Sequence, residues 1–383
     1  FSSLCTIGLI KQIEPMNSRT IVISAVNLTS GGPLTILQEC LGYLNSSPLL
    51  ATYEVIALVH DRKLADFPHI RYIELPRSKK HWINRLYYEY VYFRRLSHRL
   101  KPYLWLSLHD TTPNVRAHRR AVYMHNPIIF NSVRLRNWKF DKTYILFTLF
   151  YKYLYRINIR KNDFYIVQQN WFKESIGRMF RIDPDKIVVA RPVNRSQTNL
   201  SAAPPICRPC RTFFFPSLSR PFKNFEVVCQ AVEILNGRTA KDFKVVLTID
   251  GTESKYSAWV YNRYKHVRHI EFTGLLDKKQ MGEYYAATDC LLFPSRLETW
   301  GLPISEFARY ARPMILADKD YAREAAEGCA RVAFFAPDDP NRLSSLMQSA
   351  IEGNFRDFAP VCRIPIQEPY AKNYQELFDI LLE

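Results

Sequence analysis

Short apolar runs rich in β-branched and aromatic residues alternate with longer amphipathic stretches along the whole chain. In the first half, strands are predicted at residues 19–28, 53–60, 120–127, 163–170 and 185–192. In the second half, strands are predicted at residues 211–217, 243–251, 269–274, 290–295 and 312–318, with helical stretches between them. Regular alternation of strands with helices is typical of α/β proteins built on parallel sheets.

The length of the chain, 383 residues, predicts two domains, because a single hydrophobic core rarely serves so many residues. The stretch SQTNLSAAPPICRPCR at residues 196–211 is polar, small and rich in proline, and it is predicted to be the linker. The expected fold is α/β, with two doubly wound Rossmann-like domains at residues 1–195 and 212–362 that face each other across a cleft. Residues 363–383 are predicted to end in a helix that can pack back on the first domain.

The net charge of +17 is confined to the first half of the chain. Residues 1–200 contain 30 Lys and Arg against 13 Asp and Glu, whereas residues 201–383 contain 23 of each kind. The basic residues are densest at residues 77–102 and 134–161, among many aromatic residues. An anionic partner is therefore expected for this half: a membrane surface, nucleic acid or a phosphorylated substrate.

Both basic stretches have the composition of segments that lie on an anionic membrane, although a solvated basic face over an aromatic core would show it too. In the first stretch, apolar or aromatic residues recur at helical spacing, at positions 83, 86, 90, 93, 96 and 100. Because the basic surplus is confined to one half, docking on a membrane is the favoured interpretation.

The eight cysteines are scattered, and the close pair Cys207 and Cys210 has no second Cys or His pair at the spacing of a zinc site. Reduced thiols in a cytosolic protein are therefore expected. The sequence contains no run of about 18 uncharged apolar residues, so no membrane-spanning segment is predicted.

The stretch LETWGLPISE at residues 297–306 carries a carboxylate on each side of a Gly-Leu-Pro turn. It leaves a predicted strand, and ligands of open parallel sheets bind beyond the carboxyl ends of strands. Pro303 fits the first turn of a helix, which places Glu298 in the loop and Glu306 one turn into the helix. The helix start at residues 301–304 offers N–H groups and a positive dipole end to a phosphate. This order of acid, phosphate seat and acid suits a nucleotide diphosphate sugar.

Two cations stand where another loop of the second half enters a helix. Arg220 and Lys223 lie in the strand, loop and helix sequence FFFPSLSRPFKNFEVV at residues 213–228. At this place they can neutralise a diphosphate and stabilise it as a leaving group. A solvated basic loop is the alternative, but the position of this loop and the acids Glu298 and Glu306 indicate one common ligand.

These features resemble the retaining glycosyltransferases of the GT-B fold, in particular the large GT4-like family with an E-x7-E motif that contains bacterial lipopolysaccharide and capsule transferases. The strand ending in FPS and the trailing EFARYARPMILAD are similar to that family as well. The resemblance implies that Glu298 contacts the donor sugar and that Glu306 holds the ribose. It also implies that Arg220 and Lys223 bind the donor diphosphate.

The same resemblance extends to residues beside the two acids. It implies donor contacts from the turn residues Thr299, Trp300, Gly301 and Leu302, and backbone contacts from Thr273 and Gly274 to the base. The family commonly has Phe where this chain has Trp300, so a backbone role at that position stays open.

In the first half, the candidates lie at predicted strand ends. Gly31 and Gly32 would let the backbone approach a ligand on the far side of the cleft, although a simple tight turn is the competing account. His125 and Asn126 precede a proline, and the resemblance points to His125 as a partner of the transferring sugar or the acceptor. A satisfied structural histidine is the alternative. Asp110 is a candidate on the acceptor side.

Taken with the resemblance, the sequence predicts a retaining hexosyltransferase that uses a nucleotide diphosphate sugar and a lipid-linked glycan acceptor in surface polysaccharide or O-antigen synthesis. No metal and no other cofactor is expected. The protein is expected to be cytoplasmic and peripheral on the inner face of the cell membrane, with no nucleic-acid partner. Two alternatives stay open: a basic nucleic-acid-binding protein, and a GT-B enzyme with other chemistry such as sugar-nucleotide epimerisation.

Overall fold

The computed structural model of the chain describes residues 19–29, 31–131, 138–192 and 208–383, without the side chains of Lys142, Thr143 and Phe147. The chain forms two compact units. Unit 1 comprises the described part of Phe1–Val122 together with Lys161–Asp163 and Asp379–Glu383, and unit 2 comprises the described parts of Tyr123–Arg160 and Phe164–Phe378. Most of the predicted linker lies outside the described residues, so the predicted domain boundaries stay predictions.

Unit 1 combines parallel strands with helices. Its strands are β1 (Arg19–Ala25), β2 (Tyr53–Val59), β3 (Arg71–Glu74), β4 (Leu104–Ser107) and β5 (Arg119–Tyr123). Its helices are α1 (Gly31–Asn45), α2 (Trp82–Tyr87) and α3 (Phe93–Leu100), with a π-helical turn at Tyr88–Tyr92 and 3-10 turns at Pro48–Ala51 and Arg62–Leu64.

The strands of unit 1 lie in the order β5-β4-β1-β2-β3, and neighbouring strands are parallel. Ile21 of β1 lies beside Val55 of β2 on one side and beside Leu104 of β4 on the other. The chain runs outward from β1 to β3 and then returns to the opposite side of β1 as β4. The strand order therefore reverses between β1 and β4, and in open α/β sheets this is where ligands bind, beyond the carboxyl ends of the strands.

The π-helical turn changes which faces of the helical stretch 77–102 are buried. The predicted single apolar face is wrong, because Phe93 and Leu96 are buried while Ile83 is 76% exposed. A π turn holds more residues than an α turn, so the face before it is rotated relative to the face after it. As a result, Glu89, which lies inside the turn, is buried.

Glu89 is held by polar side chains at the carboxyl ends of β1 and β4. Arg85 Nε donates to Oε1 of Glu89 at 2.7 Å, and Thr111 Oγ1 donates to Oε2 at 2.7 Å. His109 Nδ1 lies 3.4 Å from the same carboxylate, and His109 Nε2 lies 2.9 Å from Ser24 Oγ. All of these side chains are buried or half-buried.

The ionisation of this cluster follows from its burial and its partners. Burial alone would raise the pKa of Glu89, but His109 in its protonated form, the Arg85 charge and the hydrogen bonds from Arg85 and Thr111 outweigh burial, so the pKa of Glu89 is lowered. Burial lowers the pKa of His109 below its ordinary value. At neutral pH the cluster is therefore an ion pair between Arg85 and Glu89 beside a neutral imidazole.

Unit 2 contains the remaining strands. They are β6 (Phe164–Val167), β7 (Ile187–Ala190), β8 (Thr212–Phe215), β9 (Lys244–Leu247), β10 (Ile270–Phe272), β11 (Cys290–Phe293), β12 (Met314–Ala317), β13 (Val332–Phe335) and β14 (Tyr370–Ala371). Short 3-10 turns lie at Pro127–Phe130, Ile159–Lys161, Pro184–Lys186 and Pro221–Lys223.

The helices of unit 2 follow its strands in alternation. They are α4 (Lys142–Arg156), α5 (Asn170–Phe180), α6 (Phe225–Asn236), α7 (Lys255–Tyr264), α8 (Lys278–Ala287), α9 (Leu302–Ala308), α10 (Asp320–Ala325), α11 (Pro340–Glu352) and α12 (Tyr374–Leu382), the last of which ends in unit 1. Capping boxes begin α7 and α8, where Ser254 and Asp277 accept backbone N–H groups of the first turn.

Six strands of unit 2 form a parallel sheet in the order β10-β9-β8-β11-β12-β13. Counted from β8, this is the order 3-2-1-4-5-6 of a dinucleotide-binding sheet. The order reverses between β8 and β11, where Phe214 lies beside Leu291. Strands β14, β7 and β6 are also parallel neighbours, with Tyr370 beside Val189 and Tyr165 beside Ile187.

Buried aromatic residues anchor the six-stranded sheet. Phe213, Phe214 and Phe215 of β8 are fully buried in one continuous core. The ring of Phe215 lies 4.5 Å from that of Phe225 at the start of α6, and the ring of Phe214 lies 5.4 Å from that of Tyr284 on α8. Burial of rings of this size is a dominant stabilising contribution, and it fixes the helices against the strand whose exit carries Arg220.

The fold class predicted from the alternating pattern, α/β with parallel sheets, is confirmed. In the described part of the chain, no helix is both long and apolar enough to cross a bilayer.

The cysteines at positions 40, 210, 229, 290, 329 and 362 are free thiols, and all but Cys362 are buried. Cys5 and Cys207 lie outside the described residues.

We expect Glu89→Ala to lower the free energy of unfolding by about 3 kcal/mol or more, because it leaves Arg85 and His109 in a buried site without the carboxylate. The matched control is Glu54→Ala, since Glu54 pairs with Arg71 at 3.0 Å on the surface, where such a pair contributes less than about 1 kcal/mol. Urea unfolding of both variants measures the difference.

The contribution of Glu89 also has a defined pH dependence. Because its pKa is lowered in the folded state, its stabilisation is present above the unfolded pKa and is lost as the pH falls through the folded pKa. The difference in free energy of unfolding between the wild-type protein and Glu89→Ala should therefore decrease below about pH 4. A difference in free energy of unfolding that stays constant down to pH 3 would contradict this account. An equal loss of stability in Glu89→Ala and Glu54→Ala at pH 7 would contradict it as well.

Candidate functional site

The loops that leave β8 and β11 carry the predicted donor-site residues. The loop after β8 passes through the 3-10 turn Pro221–Lys223 into α6, and the loop after β11 contains residues 294–301 before α9 begins. The two loops are joined directly, because the N–H of Arg296 donates to the carbonyl of Phe222 at 2.8 Å. The strand order of the sheet thus brings Arg220, Lys223 and Glu298 to one edge of the sheet, the edge formed by the carboxyl ends of its strands.

Asn224 fixes the geometry of this edge. It is fully buried and has a φ of 68°, a left-handed conformation that Asn tolerates better than most residues. Its Nδ2 donates to the carbonyls of Pro294 at 3.2 Å and Pro337 at 2.7 Å, so one side chain links the exits of β8, β11 and β13. Asn224 was not among the predicted site residues, although an Asn directly before an amphipathic run is a recognisable helix-start signal.

Lys223 and Glu298 form an ion pair at the centre of this edge. Lys223 Nζ donates to Oε1 of Glu298, and the two side chains are 15% and 16% exposed. Lys223 Nζ also lies 5.5 Å from the ring centroid of Phe222 and 5.8 Å from that of Phe293. Because the pair is largely shielded from water, each charge neutralises the other more effectively than on an open surface.

Arg220 is more open than Lys223. Its side chain is 55% exposed, and its Nη1 lies 3.6 Å from Oδ2 of Asp141. Asp141 also caps α4, where its Oδ1 accepts the N–H of Tyr144 at 2.8 Å. Arg220 is therefore held loosely at the edge and can turn toward an anion.

The loop that carries Glu298 is tied down by segments that precede β8 in the chain. Thr299 Oγ1 donates to the carbonyl of His125 at 3.1 Å. The buried amide of Gln169 donates from Nε2 to the carbonyls of Tyr321 at 3.1 Å and Trp300 at 3.5 Å. Gln169 Oε1 in turn accepts the indole N–H of Trp171 at 2.6 Å, so both ends of this amide are used.

Tyr321 packs against the same loop from α10. Its hydroxyl donates to the carbonyl of Ser295 at 2.7 Å. Burial and the neighbouring Glu298 carboxylate raise the pKa of Tyr321, so the hydroxyl stays protonated and keeps donating at neutral pH.

The turn between the two acids is packed rather than open. Trp300 is buried, its Nε1 donates to Ser305 Oγ at 2.9 Å, and Arg191 lies 5.5 Å from its ring centroid. Gly301 has a φ of 84°, and a Cβ there would approach Ile304 Cδ1 to 3.2 Å. The N–H of Ile304 donates to the carbonyl of Gly301 at 2.9 Å, so the turn itself uses that amide. Leu302 is the first residue of α9.

Glu306 lies in the second turn of α9, as Pro303 predicted, and it is half-buried. Its Oε2 accepts the hydroxyl of Tyr285 on α8 at 2.9 Å. Burial and the Glu306 carboxylate raise the pKa of Tyr285, so this phenol remains a donor at neutral pH. The bond holds one carboxylate oxygen of Glu306 in place.

The exits of β9 and β10 meet at Asp250 and Gly274. Gly274 has a φ of 72°, and a Cβ there would lie 2.8 Å from Oδ2 of Asp250, closer than real Cβ contacts allow. Thr273 donates its N–H to the carbonyl of Leu247 at 3.0 Å, which continues the sheet pairing into the turn. Only glycine fits this crossing of two loops.

His125 and Asn126 follow β5 and belong to unit 2. The His125 side chain is half-buried, and its carbonyl accepts the Thr299 hydroxyl described above. Asn126 caps the 3-10 turn after it, since its Oδ1 accepts the N–H of Ile128 at 3.1 Å. The structure therefore places His125 directly beside the loop that carries Glu298.

The remaining predicted residues lie in unit 1. Gly31 and Gly32 are the first residues of α1, after β1, and Gly31 has a φ of 64°. Asp110 follows β4, is buried and has a φ of 67°. All three lie at the carboxyl ends of β1 and β4, where the strand order of unit 1 reverses.

The start of α5 is capped by a carboxylate that is distant in sequence. The two oxygens of Glu324 accept the N–H groups of Asn170 at 2.9 Å and Trp171 at 2.8 Å. Burial raises the pKa of Glu324, although these bonds and the Arg191 charge oppose the rise. Arg191 also forms a two-bond pair with Glu327, at 2.9 Å for each bond.

The described residues include no group of three or more His, Cys, Asp or Glu side chains placed to hold a metal ion. Around β8 and β11 the structure offers two cations, two carboxylates and the polar backbone of two loops. Such a set can bind an anionic ligand that also carries hydroxyl groups.

Residues 209–352 match the family model described as glycosyl transferases group 1. The match includes Arg220, Lys223, Glu298 and Glu306. No curated protein sequence matches the chain.

Several solved structures are similar to nearly the whole chain. The lipopolysaccharide outer core galactosyltransferase WaaB is 13% identical with a TM-score of 0.57, over 88% of this chain and 91% of that one. Sucrose-phosphate synthase from Thermosynechococcus elongatus is 14% identical with a TM-score of 0.57, over 88% and 92%. HepE from Anabaena, solved in complex with UDP-glucose, is 12% identical with a TM-score of 0.56, over 95% of both chains. These similarities show a two-domain Rossmann-like GT-B fold, and with the family match they support a glycosyltransferase.

We expect Gln169→Leu to lower the free energy of unfolding by about 1–3 kcal/mol, because it removes a buried amide that the Tyr321 and Trp300 carbonyls and the Trp171 indole N–H all use. It should also speed amide hydrogen exchange in residues 298–304. Gln38→Leu is the control, since Gln38 is exposed and donates to one carbonyl, that of Leu64, at 2.8 Å. Exchange in that segment that is equally slow in both variants would contradict the tethering role of Gln169.

Proposed function

We propose that the protein is a retaining glycosyltransferase of the GT4-like type that moves a hexose from a nucleotide diphosphate sugar to a lipid-linked glycan acceptor. The observation that carries the proposal is the Lys223–Glu298 ion pair at the reversal of strand order, with Glu306 one turn into the following helix. The family match over these residues supports the transferase activity. The resemblance of the E-x7-E pattern supports the retaining class.

The donor class follows from the charges at the exits of β8 and β11. Arg220 and Lys223 can bind a diphosphate, and the second carboxylate oxygen of Glu306 can accept ribose hydroxyls while Tyr285 holds the first. The similar structure of HepE was solved with UDP-glucose, which supports a nucleotide diphosphate sugar as the donor class for this chain. The backbone at Thr273 and Gly274 is the proposed contact for the base.

Donor binding would exchange the partners of the central ion pair. The diphosphate takes Lys223 from Glu298, and the freed carboxylate accepts hydroxyls of the donor sugar. Each charged group thus gains a ligand partner at the moment it loses its protein partner, so neither is left unpaired in a shielded site.

In the transfer step, the bond between the anomeric carbon and the diphosphate oxygen breaks, and its electron pair leaves with the oxygen. Arg220 and Lys223 stabilise this developing charge. The acceptor hydroxyl forms the new bond on the same face of an oxocarbenium-like sugar and gives its proton to the departing phosphate oxygen. His125, beside the Glu298 loop, is proposed to hydrogen-bond the transferring sugar.

We propose that transfer needs no metal or other cofactor, because Arg220 and Lys223 supply the positive charge that the leaving diphosphate requires. The expected acceptor belongs to surface polysaccharide or O-antigen synthesis, and the similarity to a lipopolysaccharide galactosyltransferase supports that class. The protein is proposed to be cytoplasmic and peripheral on the inner face of the cell membrane, where a lipid-linked acceptor would lie. Gly31, Gly32, Asp110 and Asn126 are the residues proposed for contacts with the acceptor.

The decisive experiment is nucleotide binding by Glu306→Ala. A panel of nucleoside diphosphates should raise the melting temperature of the wild-type protein, since a ligand that binds the native state stabilises it. Glu306→Ala should weaken the best binder about 10- to 100-fold, the effect of losing hydrogen bonds to a charged acceptor. Glu352→Ala is the control, because Glu352 also accepts one side-chain bond, from Gln348 at 3.0 Å, at the end of α11.

The donor found in this way allows the reaction itself to be tested. The anomeric configuration of the sugar, followed by NMR, should be the same in the product as in the donor. Inversion would refute the retaining class, and unchanged nucleotide affinity in Glu306→Ala would refute the ribose assignment. Full activity in the presence of a chelator is expected for a metal-independent enzyme.

The partner exchange predicts opposite effects of Glu298→Gln on binding and on turnover. Without the carboxylate, Lys223 is free for phosphate, so the affinity for a nucleoside diphosphate should rise about 2- to 10-fold. Transfer should fall about tenfold or more, because an amide is a weaker acceptor for sugar hydroxyls than a carboxylate. Isothermal titration and a turnover assay measure the two effects.

The matched control for this variant is Glu271→Gln. Glu271 pairs with Lys244 at 2.9 Å in the same unit, so the change removes another Lys–Glu pair, a more exposed one, that is not among the proposed donor contacts. Affinity and turnover should both stay at the wild-type level in the control. A fall of nucleotide affinity in Glu298→Gln would show that Glu298 does not compete with the diphosphate for Lys223.

A further inference from the structure

The outer side of α4 exposes a continuous set of apolar residues. Five side chains are between 42% and 60% exposed: Leu146, Leu149, Phe150, Tyr153 and Ile157. Their spacing of three, one, three and four residues places them along one face of a helix and its last turn. We call these five residues the outer row.

The opposite side of α4 is firmly packed. Tyr144, Ile145, Thr148, Tyr151 and Tyr155 are buried. The ring of Tyr144 stacks 5.9 Å from that of Phe222, and the Tyr155 hydroxyl donates to the carbonyl of Asn126 at 3.2 Å. The helix is therefore held in place by its inner side, and the outer row is not needed to attach it.

Cations accompany the outer row. Lys152 Nζ lies 5.2 Å and Arg156 Cζ lies 5.7 Å from the ring centroid of Tyr153. Residues 142–162 contain five Lys and Arg and no Asp or Glu. The face thus combines apolar and aromatic side chains with positive charge, which is the chemistry of a helix lying in the interface of an anionic membrane.

We propose that the outer row of α4 enters the headgroup region of an anionic phospholipid surface, with Lys152 and Arg156 at the phosphates. A second copy of the chain is a poorer occupant, because a symmetric contact would bring the same basic segment against itself. A nucleic acid would engage the cations but would leave the apolar side chains in water. The biological reason for this docking rests on the proposed function, since a lipid-linked acceptor would lie in that surface.

The experiment is sedimentation of the full chain with vesicles, without donor or acceptor. One vesicle type contains phosphatidylglycerol and phosphatidylcholine in equal amounts, and the other contains phosphatidylcholine alone. The triple variant Leu146→Ser, Phe150→Ser, Ile157→Ser should lower partitioning onto the anionic vesicles about tenfold or more. The double variant Lys152→Gln, Arg156→Gln should lower it about 10-fold while changing binding to the neutral vesicles less than twofold.

A matched triple variant in unit 1 tests whether the effect belongs to α4. Ile83, Tyr87 and Val91 are also exposed and lie in another basic stretch, so Ile83→Ser, Tyr87→Ser, Val91→Ser removes the same number of apolar side chains. It should retain anionic partitioning within about twofold. Because all six residues of the two triple variants are exposed, the melting temperatures of these variants should stay close to the wild-type value, which separates loss of docking from loss of folding.

Each other outcome overturns the inference. Equal binding to both vesicle types excludes an anionic lipid partner, and equal losses in the two triple variants exclude a specific role for α4. A concentration-dependent dimer in light scattering that disappears in the α4 variant would assign the outer row to a second copy. Nucleotide binding and turnover test the proposed function separately, because none of the residues changed here lies among the proposed donor contacts.

Discussion

The buried amide of Asn224 joins the exits of β8, β11 and β13, and the placement of the candidate site depends on it. The parallel sheet reverses its order between β8 and β11, so the loops leaving these strands diverge to opposite sides of the sheet. A divergence of this kind leaves backbone carbonyls that need hydrogen-bond donors. Asn224, which has a left-handed backbone conformation at the start of α6, donates to two of them. Lys223, which pairs with Glu298, lies one residue before this anchor.

Much of this arrangement could be predicted from local sequence, because the relevant signals are short in range. Runs such as TFFF and CLLF are buried on both faces and give strong strand predictions. Pro303 marked the start of α9 and so placed Glu306 in that helix correctly. Arg220, Lys223 and Glu298 were expected near one ligand, and the structure puts them at one edge of the sheet, although their roles stay proposals.

What could not be predicted depends on residues that are distant in sequence. Glu324 caps α5 from more than 150 positions away, and β14 has two residues that form a strand because β7 offers an edge. The π-helical turn in unit 1 buries Glu89 against Arg85 and His109, and apolar spacing carries no sign of such a cluster. Exposure of Ile83 could not be foreseen for the same reason, since it follows from the rotation that the turn introduces.

The mutual neutralisation of Lys223 and Glu298 also bears on which anions can compete for this pair. Abundant small anions such as inorganic phosphate would have to separate the two charges while offering nothing to the displaced carboxylate, so they gain little by entering. A ligand that brings phosphate and sugar together compensates both halves of the broken pair at once. If the pair binds the donor as proposed, it would favour ligands that carry both phosphate and sugar over the far more numerous simple anions.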